Sequence, residues 1–371
     1  VQEVLYASGV VSQATNSSLV SLYTDSAESS LTTSPSKIEG TFGAGGIVCS
    51  LINSKDFGNV KKGLYNSYNN VYVLAGAENA SKVGGLVGEM VASFTYNCYN
   101  NYYGVVTVTD SGTSAGGVVI GRADKDSKIG NVFNLSPKLN SLKGNSVDNG
   151  PALYRLSLED GKVYKTEETL SFDILEDYVD NPKSEIWTKE YSLNPSAVAN
   201  YPSLSGLNRE WKNSPSEALI SFDYDGTNKQ PIYNYIDSIK KVYNDEGVLT
   251  SGKLEYSLPN FAKDSFYDAV VRKIYLITSE EDLVWVANNV NNGNLLTSGV
   301  EFMLLKDLDL SGRYFTPIGL NRTYSFNGIF NFNGHVIKGL TIDSNFVYSG
   351  LFGYTQNALI INGYLTNAFI K

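Results

Sequence analysis

Ala44-Gly-Gly-Ile-Val48, Val83-Gly-Gly-Leu-Val87 and Ala115-Gly-Gly-Val-Val119 are one short string written three times. A second string recurs between them, Tyr65-Asn-Ser-Tyr-Asn-Asn70 and then Tyr96-Asn-Cys-Tyr-Asn-Asn101, with a shorter echo at Asn131-Val-Phe-Asn134. Ser8-Gly-Val-Val11 is a degenerate earlier copy of the first. Two independent markers advancing by similar steps of roughly 30–40 residues define a structural repeat. The segments around them, such as Val105-Val-Thr-Val-Thr109, are short, β-branched and bounded by Gly, Asn, Asp or Ser. That is strand patterning, and no helical stripe runs through residues 40–140. Short strands with Gly and Asn corners at a fixed period predict a solenoid, each coil burying its apolar face on the next. Gly46, Gly85 and Gly117 are then expected to stack at one corner. Asn66, Asn97 and Asn131 are expected to form an amide ladder at another, or to serve simply as turn residues.

Composition agrees with an all-β, turn-rich chain. The 371 residues include 34 Gly and 26 Tyr, with Asn about as frequent as Gly. Gly and Asn supply turns and left-handed backbone, and Tyr favours strands. A net charge of −9, from 38 acidic and 29 basic residues, argues against a nucleic-acid footprint. Charged residues make up only 18% of the chain, which excludes an acidic disordered tail. No apolar run approaches the roughly 20 residues that cross a membrane. The opening residues lack the basic and apolar regions of a signal peptide, so a mature or excised fragment is expected.

The strings Gly-Gly-[Leu/Ile/Val]-Val and Asn97-Cys-Tyr-Asn100 resemble the GLUG repeats of large bacterial surface proteins, found in adhesins and in accessory regions of immunoglobulin A-cleaving metallopeptidases. The resemblance covers about 100 residues. It implies a right-handed parallel β-helix, an extracellular location on the bacterial cell surface and an adhesive role. A second block is similar to the opening coils of such modules. It begins with a helix capped at Thr278 or Ser279, whose Leu283, Val286, Ala287 and Val290 share a face, and which Gly293 ends. Leu304-Leu-Lys-Asp-Leu-Asp-Leu310, Pro317-Ile-Gly319, Asn333-Gly-His-Val-Ile337 and Gly350-Leu-Phe-Gly353 follow.

The expected architecture is therefore all-β, right-handed parallel β-helix segments with short capping helices and a small bridging domain. Residues 1–211 form a repeat-bearing β-helix closed by a helix from Thr166 to about Glu176 and by a turn joining Trp187 to Tyr201–Leu204. Residues 212–273 form the bridge, with a strand at Ile220–Tyr224 and a helix from Ile232 to Tyr243. Residues 274–371 open a second β-helix. Opening features follow closing ones in this order, which suggests two tandem modules each cut internally. Open coil faces near Val1–Val11 and Ala358–Lys371 would then favour end-to-end self-association.

Catalytic patterns are sparse. Gly112-Thr-Ser-Ala-Gly116 matches a nucleophile elbow, but it sits at a coil corner and the one His of the chain, His335, lies more than 200 residues on. No His-Glu-x-x-His string exists for zinc peptidase chemistry, and the resemblance gives His335 a corner-packing role. Asp223-Tyr-Asp-Gly226 with Asn228 is a fragment of a calcium loop or a tight turn. Asp307 and Asp309 share a strand face, as a carboxylate pair would, but the resemblance has them fixing the first coil. Cys49 and Cys98 are either two free thiols or a disulfide. No catalytic residue, metal site or cofactor is expected. Tyr68, Tyr99, Tyr102 and Tyr103 recur at one corner and are the candidate binding residues. Such a stripe is a core stack, a contact surface for a glycan or host protein, or plain surface. The reading is a non-enzymatic adhesin-like or stalk-like segment; the alternative is a polysaccharide lyase or glycosidase on the same scaffold.

Overall fold

The computed structural model describes residues 5–25, 36–56, 60–75, 82–100, 106–108, 116–134 apart from 125, and 273–371 apart from 344–345, with short strands between 154 and 233. Within these the chain is all-β apart from one helix, α1 (Glu280–Asn291). Four sheets are each built by successive passes of the chain. The pass over residues 6–40 contributes Tyr6–Ser8, Val11–Thr15, Ser18–Asp25 and Lys37–Gly40, one strand to each sheet in turn. The next uses Gly43–Gly45, Val48–Ile52, Gly63–Tyr65 with Tyr68–Asn69, and Tyr72–Ala75. The third uses Lys82–Gly84, Val87–Val91, Phe94–Asn100 and Val106–Val108, and the fourth begins with Gly116–Gly117, Ile120–Ala123 and Lys128–Asn134. Every pairing between these passes is parallel and in register.

Space and sequence do not run in the same order. The pass made of Tyr348–Ser349, Phe352–Gln356, Leu359–Thr366 and Phe369–Ile370 pairs, sheet by sheet, with the pass over residues 6–40. Beyond it lie Ile329–Asn331, Val300–Leu304 and Lys273–Ile277. The strands near the two ends of the sequence, expected to carry open faces, instead close on one another. Antiparallel strands flank the third sheet: Tyr154–Glu159 and Lys162–Glu167 beside Lys128–Asn134, and Ile232–Tyr233 beside Lys273–Ile277.

Register is held by columns of like residues at the corners. Asn16, Asn53, Ala92 and Asn357 have φ of 46–53°, the left-handed turn that Asn tolerates better than most residues. The residue after each is Ser17, Ser54, Ser93 or Ala358. The backbone N–H of Ala358 donates to Ser17 Oγ, that of Ser17 to Ser54 Oγ, that of Ser54 to Ser93 Oγ, and that of Ser93 to Ser127 Oγ. This serine ladder satisfies buried backbone donors from pass to pass. A second left-handed column comprises Asn362, Ser21, Asn66 and Asn97. One rung of the expected amide ladder is present there, Asn97 Nδ2 donating to Asn66 Oδ1 at 2.7 Å; Asn131 stands next in register with its side chain outside the described residues. A third column links Thr24 to Asn69 at 2.6 Å and Asn69 to Asn100 at 2.9 Å.

The glycine corner departs from expectation by one residue. Gly9, Gly46 and Gly85 do stack: a Cβ on Gly46 would overlap the Gly85 carbonyl oxygen. Gly117, however, aligns with Gly84 and Gly45, which puts Val118 over Gly85. Val118 follows Gly116–Gly117, the edge strand of the first sheet, on which no further described strand stacks, so its side chain is tolerated. Two other expectations are corrected. Thr166 and Glu167 close the strand Lys162–Glu167 rather than starting a helix, and Ile232–Tyr233 is a strand paired with Lys273–Ile274. The strands Trp187–Tyr191 and Pro202–Leu204 do pair, as the closing turn required. Ile220–Tyr224 lies outside the described residues.

Candidate functional site

Of the tyrosines singled out by the repeat, Tyr68 and Tyr99 lie in the interior. Tyr68 and Tyr99 are fully buried in a column of rings, Tyr364–Tyr23–Tyr68–Tyr99, with centroids 3.9, 4.6 and 4.9 Å apart. Burial and the neighbouring phenols of Tyr23 and Tyr99 raise the Tyr68 pKa well above its usual value. Tyr102 and Tyr103 lie outside the described residues, as do Ser114 of the elbow string and Asp223–Asn228. His335 is buried and its Nδ1 lies 3.1 Å from Asp307 Oδ1, which also accepts from the Val336 N–H. Asp309 accepts from the Ser311 N–H and lies 3.5 Å from Lys338 Nζ. Burial alone would raise its pKa, but Ser311 and Lys338 outweigh that and lower it. These acids tie one pass of the chain to the next. Cys49 and Cys98 are both free and buried, and burial pushes the Cys49 thiol up to about 12.

A different cluster is open to solvent where the first and second sheets meet. In the first sheet Tyr348, Tyr6, Gly43 and Lys82 are register neighbours. Gly43 carries no side chain between Tyr6 and Lys82, so Lys82 Nζ reaches over the Tyr6 ring, 5.4 Å from its centroid. Tyr6 stacks on Tyr348 at 5.8 Å and meets Phe42 at 6.5 Å, while Tyr348 meets Tyr354 edge-on at 5.7 Å. Phe42 is 42% exposed, and Tyr6 and Tyr348 are half-buried. In the second sheet the matching row is Tyr354, Gln13, Ser50, Glu89 and Arg122.

Glu89 closes the two rows together. Its carboxylate lies 2.7 Å from Lys82 Nζ and 3.8 Å from Arg122 Nη1. Burial pulls the Lys82 ammonium pKa down, but the hydrogen bond and charge of Glu89 outweigh it and hold it above the ordinary value. Burial, then the phenols of Tyr354 and Tyr6, raise Tyr348. The result is a partly exposed aromatic cluster, Phe42 tilted 47° against Tyr6 and Tyr354 edge-on to Tyr348, bordered by a fixed acid–base pair and the side chains of Gln13 and Ser50. Such a surface stacks on an apolar ring face and hydrogen-bonds its polar rim. The repeat does not reveal it because Tyr6, Phe42 and Tyr348 recur at no fixed period; the pairing of the 6–40 pass with the 348–370 pass brings Tyr348 to Tyr6.

Among the described residues no group of three or more His, Cys, Asp or Glu side chains is arranged to hold a metal ion, and no helix is long and apolar enough to cross a membrane. No family model, curated protein or solved structure matches this chain.

Proposed function

We propose that this chain is a segment of an extracellular bacterial surface protein of the GLUG-repeat kind, a right-handed parallel β-helix that is adhesive rather than catalytic, and that it binds glycan on the Tyr6–Phe42–Tyr348 cluster. The observation that carries the reading is the partly exposed aromatic cluster set beside the Lys82–Glu89 pair, a combination suited to sugar rings and their hydroxyls. The parallel, in-register passes with repeated corner residues support the β-helix. The engagement of Asp307 and Asp309 in bonds between coils favours adhesion over a carboxylate-driven hydrolase or lyase. The test is a glycan array with the whole chain, covering neutral and acidic polysaccharides, repeated with Tyr6→Ala and Phe42→Ala. Each variant is expected to weaken binding from several-fold to about tenfold, the worth of one stacked aromatic. Unchanged binding in both variants would move the ligand elsewhere, and a chain that binds nothing would be a stalk. Calcium-dependent cleavage of an acidic polysaccharide by the intact chain would establish the lyase alternative.

A further inference from the structure

Among the described residues, the longest junction joins segments more than 300 residues apart. Ser18–Asp25 meets Leu359–Thr366 over seven registered pairs, from Ser18↔Leu359 to Asp25↔Thr366. The other three sheets cross the same boundary through Tyr6↔Tyr348, Val11↔Phe352 and Lys37↔Phe369. The corner columns run through it unbroken: the Ala358 N–H donates to Ser17 Oγ, and Tyr23 is sandwiched between Tyr364 and Tyr68. Yet no short connection enforces it. The chain leaves one end of the third sheet at Glu167 and returns to the other end at Ile232, ten strand spacings away, or ~48 Å. The residues between Glu167 and Ile232 span up to ~200 Å when extended.

We propose that this junction is exchangeable, so that the 6–134 block of one chain stacks on the 273–371 block of a second copy with the same register as within a single chain. Every contact of the closed form is reproduced in the exchanged form, so the two differ mainly in the effective concentration set by the connecting segment. A flexible connection of that length has an r.m.s. span of about 44 Å, close to the distance to be bridged, so its effective concentration is on the order of mM and pairing between copies competes as the protein concentration is raised toward it. Reciprocal exchange closes the smallest assembly, a two-fold dimer, and non-reciprocal exchange extends to larger rings or linear assemblies.

Thr15 and Gln356 are register neighbours across the junction, both half-buried, and adjacent strands place their Cα atoms within disulfide range. The experiment uses whole chains carrying Thr15→Cys, Gln356→Cys, or both. Each is equilibrated over a range of concentrations in mild urea, returned to buffer and oxidised. Tyr314→Cys, highly exposed and out of register with Thr15, supplies the collisional control. In dilute solution the double variant should close within the chain. In mixtures of the single variants the Thr15→Cys–Gln356→Cys dimer should exceed the control, its share rising about tenfold per tenfold rise in concentration while it remains minor. A double variant that closes fully while the mixture never exceeds the control overturns the proposal. Failure of both to cross-link overturns it too, since the junction itself would be absent.

Discussion

At the scale of single residues, stability rests on small polar groups held at fixed corners. Ser93 Oγ accepts from the buried Ser54 N–H, and its single proton is shared between the Leu51 and Val91 carbonyls. Ser93→Ala strands that N–H away from water, so a loss of about 1–3 kcal/mol in urea unfolding is expected. Asp124 caps the next corner, accepting from the Ala92 N–H and from Ser127 Oγ. Burial would raise its pKa, but these hydrogen bonds prevail and lower it below 3.8. A depressed carboxylate pKa stabilises the fold above the unfolded value, and that stabilisation is lost as pH falls through the folded one. Asp124→Ala should therefore lower the urea midpoint at neutral pH, and the gap from the parent should close in the acid range below 3.8. Cys49, buried and shifted to about 12, should resist alkylation at pH 8 until the chain unfolds, as mass spectrometry of labelled protein would show. The recurring Asn-Ser or x-Ser pair behind this ladder was visible in the sequence. It carried no strand or glycine marker, and so drew no attention.

At the scale of elements, α1 was the most legible part of the chain. Ser279 caps it by accepting from the Asp282 N–H at 3.1 Å, and Asp282 returns the bond by accepting from the Thr278 N–H. Leu283, Val286, Ala287 and Val290 are its buried face. Ser279→Ala should cost about 1 kcal/mol, measured by thermal unfolding with helix-sensitive circular dichroism. Elements without a repeat partner were harder to read. Ile232 begins an apparent helical pattern, yet Ile232–Tyr233 is drawn to the exposed edge of Lys273–Ile277, where an unpaired strand recruits backbone more strongly than local propensity holds it. The glycine register shows the same limit, since string similarity aligned Gly117 with Gly46 and the sheet aligned it with Gly45.

At the scale of the whole molecule, the boundary between the 6–40 and 348–370 passes decides both shape and site. Tyr23 spans it, fully buried between two rings. Tyr23→Ala should cost about 3–5 kcal/mol, as removal of a buried aromatic does. Amide exchange should accelerate on both sides, at Leu64 in one block and Ile360 in the other, because each pass is templated by its neighbour. Loss of protection confined to residues 6–134 would mean that the two blocks fold separately. The aromatic cluster depends on the same boundary, since Tyr6 and Tyr348 come from opposite sides of it.

The sequence by itself determined the local grammar: strands at a fixed period, left-handed Asn corners, tight Gly positions and one capped helix. Each of these follows from sterics and hydrogen bonding within a few residues, and so is written locally. Only the tertiary structure decided which pass stacks on which, that Tyr68 and Tyr99 face inward, and that Tyr6, Phe42, Lys82 and Glu89 share a surface. In repeated parallel strands every coil offers nearly the same backbone edge and apolar face to every other. Stacking order is then chosen by side-chain columns summed over all four sheets, a quantity that no single stretch of sequence contains.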